Sequence, residues 1–429
     1  MVIISGSSVI RRVVYFLMLY IPLEAFLLKW LPVSDIVYEQ LSLISDILIL
    51  SIMVLYSISG IERFKLTASS MAIILFLLAS MISFVLSQAT FSDYFVKLWV
   101  FMRYIFLYLI LINMKISNKM LMRFYMVLGI SFTVQIFIGL LQLLDVQSIN
   151  LFFEAREGLI KIIVPEDTIK GTFKFGVFFG YFILIGFALL FPNFRGSYRK
   201  IIFFVVAMLF TYLSGSRMAF IGVSLFSIYM YFPRHILLTL TSVFIGLLLT
   251  FFYWLNISSS GVENIGSMSG LLSSDYWSNS LATGRLGIFS LIPIFFDAGV
   301  KQIIFGFSYD SVEITAFLNG YYDGLSAILK NNIMVGIEDV YWISFLYYYG
   351  IIGVILFTTF YLSIIIKIKK QLRLSGSNRQ TEIIRAMGYL MIFAVLAGFV
   401  NQVFYLKVFS FYFWVFSALV VHSISKNAP

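Results

Sequence analysis

The sequence contains no cysteine and little charge, and both absences narrow what the protein can be. Without cysteine there are no disulfides, no thiolate nucleophiles and no cysteine-ligated zinc or iron–sulfur sites. Charged residues make up 12% of the 429 residues and hydrophobic residues 61%, whereas globular proteins carry about 25% charge. The composition therefore excludes an ordinary soluble protein. Its long apolar runs also exclude a transmembrane β-barrel, whose strands alternate apolar and polar residues.

Histidine and nucleotide-binding motifs are scarce as well. The only histidines, His235 and His422, are predicted at cytoplasmic helix ends. The chain has no Walker A motif, no GxGxxG after a strand, and no Asp-x-Asp or Glu-x-Asp sequence. These absences argue against nucleotide binding, against a serine–histidine pair on the outer face, and against a metal-dependent sugar transferase.

Hydropathy predicts an all-α integral membrane protein with about twelve transmembrane helices in a single polytopic domain, residues 1–429. A bilayer core takes about 20 apolar residues per helix. The predicted spans are 13–31, 41–58, 67–87, 97–113, 124–143, 174–192, 201–214, 217–232, 236–255, 340–366, 386–405 and 407–424. The first span is expected to be a retained helix rather than a signal peptide.

The basic residues predict the orientation of these spans, because Lys and Arg are retained in cytoplasmic loops. With both termini inside, the inner segments hold most of the 30 Lys and Arg residues but only Glu62 and Glu382 of the 20 acidic residues. The net charge of +10 is thus a topology signal rather than a sign of nucleic-acid binding, and anionic membrane lipid is a sufficient partner for it.

Two outer loops follow from this topology, a moderate one at 144–173 and a long one at 256–339. Loops of this length in a compact protein are usually functional or disordered, and the long one carries aromatic side chains such as Trp277, Tyr309 and Tyr322. Residues 285–297 are too few to span a bilayer. We expect them to form a short interfacial or re-entrant helix.

Arg103 is predicted inside the fourth span, about 9 Å below its outer end. An arginine near the centre of a membrane helix costs roughly 2.5–3.5 kcal/mol. One interpretation is a structural ion-pair cluster with Glu24 of the first span and Asp46 of the second. The other is that Arg103 meets an anionic substrate group from the membrane side.

Arg217 and Arg285 are candidate anion ligands on the outer face. Arg217 follows SGS at 214–216 and opens the eighth span, where backbone amides at a helix start favour anions and the guanidinium suits phosphate oxygens. Arg285 opens the interfacial helix. Two arginines on one face suit a substrate with several negative charges, such as a pyrophosphate; the alternatives are a snorkelling Arg217 and a surface Arg285.

Glu338 and Asp339 close the long loop directly before the tenth span. A carboxylate at a helix start can be a cap favoured by the helix dipole. It can also be a general base that takes a proton from a sugar hydroxyl, provided that it reaches the proton within about 3 Å.

Taken together, these residues give the chain a family resemblance. It resembles the bacterial O-antigen polymerase/ligase superfamily of polytopic membrane glycosyltransferases, and the order of its short motifs along the chain carries the resemblance. The motifs are PLEAFLLKWLP at 22–32, GTF at 171–173, SGSRMA at 214–219, TGR at 283–285, FGF at 305–307, EDVY at 338–341 and YGIIG at 349–353.

The resemblance implies a GT-C-like transferase of the bacterial inner membrane that acts at the periplasmic face without metal or cofactor. Donor and acceptor would be undecaprenyl-pyrophosphate-linked glycans, and a chain-length regulator protein is a candidate partner. Arg217 and Arg285 match the arginines that the family places against the donor pyrophosphate. Family ligases carry a histidine just before the tenth span. Here Glu338 and Asp339 stand in that region, so a polymerase is favoured, with Asp339 as the first candidate base and Glu338 as the second.

Two alternatives remain at this point. One is an O-antigen ligase, which would transfer the polysaccharide to lipid A–core. The other belongs to a different class: a flippase or transporter of lipid-linked oligosaccharides, which would form no glycosidic bond. The sequence shows no internal repeat of the kind that is common in secondary transporters.

Overall fold

A computed structural model describes residues 6–31, 37, 40–58, 67–144, 168–194, 196–231, 289, 291–320, 337–374 and 379–426. Within these ranges the chain is helical and contains no β-strand. Seven of the helices are long and apolar enough to cross a membrane. The protein is therefore a helical protein built for a membrane.

Fourteen α-helices are described, numbered here in chain order. They are α1 (Gly6–Lys29), α2 (Ile44–Ile58), α3 (Ala68–Leu86), α4 (Phe91–Asn113), α5 (Asn118–Leu143), α6 (Gly176–Leu190), α7 (Ser197–Leu213), α8 (Arg217–Tyr231), α9 (Leu291–Phe295), α10 (Val300–Phe305), α11 (Ser311–Asn319), α12 (Tyr341–Leu374), α13 (Arg379–Ala397) and α14 (Lys407–Lys426). The seven candidate spans lie in α3, α4, α5, α6, α12, α13 and α14. Helices overlap eleven of the twelve predicted spans, and the remaining one, 236–255, lies outside the described residues.

The predicted span 386–405 is wrong at its end. Helix α13 stops at Ala397, and residues 398–405 form turns instead. Trp342 explains the stop, because its indole Nε1 donates to the carbonyl of Val395 at 2.9 Å and its backbone N–H donates to the carbonyl of Gly398 at 3.3 Å. These bonds satisfy carbonyl groups at the helix end, where no further intrahelical donor follows.

The region predicted as an interfacial or re-entrant helix, 285–297, is described from 291 onward apart from Phe289. There it forms the five-residue helix α9, followed by α10 and α11. The Tyr347 hydroxyl of α12 donates to the carbonyl of Leu291 at 2.9 Å, and Phe295 is fully buried against the Tyr347 ring. This part of the long loop therefore folds onto the first turns of α12.

Helix α6 forms the centre of the bundle. Its sequence, GVFFGYFILIGFALL, has no charged residue and is apolar on every side, which is typical of a helix with neighbours all round. Helices α5, α7, α8, α13 and α14 pack around it. Only Val177 and Phe178 of α6 escape full burial.

The outer helices leave an apolar surface uncovered. On α3, for example, Leu75, Leu78, Met81 and Ile82 are each about half exposed. Contiguous apolar surface of this kind is not stable against water, and lipid chains can cover it. The helices that line this surface include three of the candidate membrane spans, α3, α5 and α12.

Residues that the sequence predicts on one side of the membrane meet at one end of the bundle. Lys97 at the start of α4 contacts Glu338 before α12, and we call this end the Glu338 end. At the opposite end, Lys200 of α7 lies 3.4 Å from Glu382 of α13. The starts of α4 and α12 therefore lie at one end of the bundle, and the starts of α7 and α13 lie at the other.

Candidate functional site

Glu338 has two hydrogen-bond donors at the Glu338 end of the bundle. Its Oε1 accepts a hydrogen bond from Lys97 Nζ and another from the Tyr348 hydroxyl, each at 2.9 Å. The side chains of Lys97 and Glu338 are 38% and 44% exposed, so the pair is accessible from outside. An ion pair this exposed contributes only about 0.2–1 kcal/mol to stability. Its contribution to stability therefore does not by itself explain why the pair is present.

A floor of buried tyrosines lies beneath this pair. Lys97 Nζ lies 5.6 Å from the ring centroids of both Tyr309 and Tyr348, within the range of a cation–π interaction. The Tyr309 hydroxyl hydrogen-bonds the Tyr349 hydroxyl and lies 3.1 Å from that of Tyr405. Burial, reinforced by these two neighbours, raises the pKa of Tyr309 well above its ordinary value, which keeps its hydroxyl neutral.

A break in α12 positions these tyrosines. Gly350 has φ +62 and interrupts the helical geometry, so the carbonyls just before it lose their partners within the helix. The backbone N–H groups of Phe307 and Ser308 take their place and donate to the carbonyls of Tyr347 and Tyr348 at 2.7 and 3.0 Å. The FGF and YGIIG motifs, far apart in the sequence, thus meet in the structure.

The turn at Ser308 and Tyr309 carries backbone strain. Both residues have positive φ, 51 and 64, although neither is glycine. A bulky residue in this region costs of order 1–3 kcal/mol, and such outliers cluster at functional sites. The turn is held by the Ser308 bond to α12 and by the hydroxyl contacts of Tyr309. Tyr309 is thereby fixed beneath Lys97.

Arg217 is the first residue of α8 and is half-buried. The turn before it is tightly built: Gly215 has φ +68, and the Ser216 backbone N–H donates to Ser214 Oγ at 3.2 Å. Ile169 of the preceding loop donates its N–H to the carbonyl of Leu213 at 3.0 Å. This turn holds Arg217 beside the start of a helix, where backbone amides favour an anion.

Helix α8 runs antiparallel to α13. Phe226 of α8 packs against Tyr389 of α13 with ring centroids 5.1 Å apart. Gly222, one turn earlier in α8, lies against Phe393, one turn later in α13. The start of α8, at Arg217, therefore lies toward the end of α13.

The end of α13 is also where Glu338 lies. Gly398, the residue after α13, accepts a hydrogen bond from the backbone of Trp342, which is four residues beyond Glu338. Arg217 and Glu338 consequently occupy the same end of the bundle. This agrees with the predicted topology, which puts both on the outer face.

Arg103 is buried in α4 and forms an ion pair with Asp46 of α2 at 2.5 Å. Trp99, one turn earlier in α4, donates its Nε1 hydrogen to the same Asp46 oxygen at 2.8 Å. Glu24 of α1 pairs instead with Lys407 of α14 at 2.7 Å. The geometry is that of ion pairs which join helices, and a role of Arg103 toward substrate stays a prediction.

The remaining predicted site residues are placed as follows. Asp339 is half-buried beside Glu338, and either of the two stays a candidate base. Arg285 lies outside the described residues, as do Trp277 and Tyr322 of the predicted loop aromatics. Among the described residues, no group of three or more His, Asp or Glu side chains could hold a metal ion.

Sequence reasoning missed Lys97, Tyr348, Tyr349 and Tyr405 as site residues. A lysine near the end of a predicted span has the ordinary interpretation of a snorkelling charge, and nothing in the sequence links Lys97 to a carboxylate 241 residues away. The one usable signal was the run of three tyrosines at 347–349 directly before Gly350.

No protein-family model and no curated protein matches this chain. What the fold defines is the class: a helical membrane protein that carries a partly exposed charged site at one end of its bundle.

Proposed function

We propose that the protein is a membrane glycosyltransferase that polymerises undecaprenyl-pyrophosphate-linked oligosaccharide repeat units into O-antigen or a related surface polysaccharide. The lipid pyrophosphate is released at each step. In this proposal the chain has twelve spans in a GT-C-like arrangement in the bacterial inner membrane, with both termini in the cytoplasm. The Glu338 end then faces the periplasm.

One observation carries the proposal: a half-exposed carboxylate and a helix-opening arginine share one end of an apolar helical bundle. Glu338 is held by Lys97 and Tyr348, and Arg217 begins α8. A transfer between two lipid-linked glycans needs both kinds of group at the membrane surface. The carboxylate can take the proton of an acceptor hydroxyl, and the arginine can stabilise a departing pyrophosphate.

The roles follow the chemistry of each side chain. Arg217 and Arg285 bind the donor pyrophosphate, and Arg103 assists from the membrane side. Asp339 or Glu338 acts as the base for the acceptor hydroxyl. A chain-length regulator is a candidate protein partner, and the anionic lipid of the inner leaflet attracts the basic cytoplasmic segments.

The direct test is extension of a defined lipid-linked repeat by the purified protein. A ladder of longer chains supports the proposal, whereas translocation without new glycosidic bonds would indicate a flippase. Gene deletion separates a polymerase from a ligase in a strain that makes lipopolysaccharide. Loss of a polymerase leaves lipid A–core with a single repeat unit, and loss of a ligase leaves the core with none.

A further inference from the structure

Of the two adjacent carboxylates that the sequence offers, Glu338 is the one joined to two other elements of the bundle. Glu338 receives two hydrogen bonds from separate helices, one from Lys97 of α4 and one from Tyr348 of α12. Both donors reach the same oxygen, Oε1. Among the described residues, no hydrogen-bond donor reaches Oε2.

The surroundings of Lys97 fix where its ammonium group can go. Tyr309 and Tyr348 are both buried, with ring centroids 4.1 Å apart, and Lys97 Nζ lies 5.6 Å from each ring. The lysine thus lies between a closed aromatic floor and the Glu338 carboxylate. The two rings and the carboxylate together stabilise this position of the ammonium group.

In a second half-exposed ion pair, Lys301–Glu313, no aromatic ring among the described residues lies beside the lysine. Lys301 Nζ lies 3.6 Å from Glu313, with side chains 36% and 26% exposed. Glu313 of α11 also accepts a hydrogen bond from Gln302 of α10 at 2.7 Å, so its partners lie in the neighbouring short helix. Lys97, in contrast, joins two helices that are far apart in the sequence. The two lysines are matched in exposure and charge, but Lys97 contacts Glu338 and Lys301 contacts Glu313.

We infer that Lys97 is a positioning residue which orients Glu338 as the carboxylate that receives the acceptor proton. This inference rests on the proposed function. In the step, the acceptor hydroxyl oxygen bonds to the anomeric carbon of the donor while the bond from that carbon to the pyrophosphate oxygen breaks. The pyrophosphate leaves with the bonding electrons, and the proton passes to Glu338 Oε2. Lys97 contacts neither sugar and acts through Glu338.

The test uses the purified full-length protein and a defined lipid-linked repeat unit. Glu338→Gln should lower kcat by about 10²–10⁴-fold, the usual contribution of a general base, and by much more than Asp339→Asn does. Lys97→Met should lower kcat at least tenfold with little change in the KM for donor. Lys97→Arg should recover most of that loss, because it restores the charge. Lys301→Met, the matched control, should leave kcat unchanged.

Three activity results would overturn the inference, and so would one stability result. The first is that Lys97→Met keeps the kcat of the wild type. The second is that Asp339→Asn lowers kcat more than Glu338→Gln does. The third is the double variant Lys97→Glu/Glu338→Lys with restored activity, because an exchanged pair rescues a merely structural ion pair but not a base. Thermal unfolding of Lys97→Met and Lys301→Met should coincide; a much lower midpoint for Lys97→Met would assign it a structural role. If the wild-type protein extends no repeat, the proposed function fails first and the inference falls with it.

Discussion

The backbones of Gly306 and Gly350 are in contact where the loop before α12 meets the break in that helix. A Cβ on Gly306 would lie 2.6 Å from the backbone nitrogen of Gly350, and a Cβ on Gly350 would lie 2.5 Å from that of Gly306. Both residues also have positive φ, +78 and +62. The two motifs that contain them therefore have a physical reason to keep glycine: two backbones touch there.

Gly350→Ala should destabilise the protein. The new methyl group would lie 2.4 Å from the carbonyl oxygen of Ile304, and alanine with positive φ is strained by about 1–3 kcal/mol. Thermal unfolding in detergent measures the loss. Gly129→Ala is the matched control in a helix interior, because its methyl group meets only Leu190 at 4.0 Å. It should be neutral or up to about 1 kcal/mol more stable; equal midpoints for the two variants would contradict this account.

Asp46→Asn should cost far more stability than the loss of the exposed Lys97–Glu338 pair. Removing one partner of a buried ion pair leaves Arg103 uncompensated, at about 3–5 kcal/mol, whereas an exposed pair contributes about 0.2–1 kcal/mol. Unfolding of Asp46→Asn and Lys97→Met under the same conditions compares the two. The double variant Asp46→Leu/Arg103→Leu should recover most of the loss, since neither charge of this pair remains. Activity lost in that double variant despite recovered stability would support a substrate role for Arg103.

Single cysteines should report the orientation of the bundle, and the natural chain supplies a cysteine-free background. Ser92 is exposed near the start of α4, at the Glu338 end, and Ser197 is exposed at the opposite end. A membrane-impermeant maleimide should label Ser92→Cys in intact spheroplasts and Ser197→Cys only after permeabilisation. The reverse pattern would place Glu338 and Arg217 in the cytoplasm and refute the proposed reaction at the periplasmic face.

Arg217→Ala should abolish long polymer chains while the protein still inserts and accumulates normally. Its guanidinium would no longer meet the departing pyrophosphate beside the first turn of α8, where charge stabilisation is the largest expected contribution. Gel profiles of the surface polysaccharide measure the effect, with membrane protein levels as the control. Arg217→Lys keeps the charge but not the planar fork, so it should be intermediate. Chains of wild-type length in Arg217→Ala would remove this residue from the mechanism.

The helices could be predicted because a membrane helix is a local property of composition. Spans such as 67–87 and 407–424 match α3 and α14 within a few residues, since twenty apolar residues in a row have few other stable arrangements. The prediction went wrong at 398–405, where Trp342, more than fifty residues away, takes the carbonyls that would have continued the helix. No hydropathy window contains that contact.

The site was predicted only in its local parts. Glu338 stood out as a carboxylate before a span and Arg217 as a charge at a helix start, because both positions are visible in the sequence. The partner of Glu338 was not visible. Lys97 and Tyr348 reach it from two helices, and only the packing of α4 beside α12 brings their donors to one oxygen.

By itself the sequence determined that this chain is helical and apolar, and it predicted the direction of each helix from the charges between spans. Local composition suffices for this, since the bilayer acts on each segment separately. The tertiary structure alone decided which charges are neighbours. It buried Arg103 against Asp46 and left Glu338 half-exposed beside Lys97, above the buried rings of Tyr309 and Tyr348. The physical reason is distance, since a hydrogen bond needs atoms within about 3 Å, and only folding brings together residues that lie hundreds of positions apart.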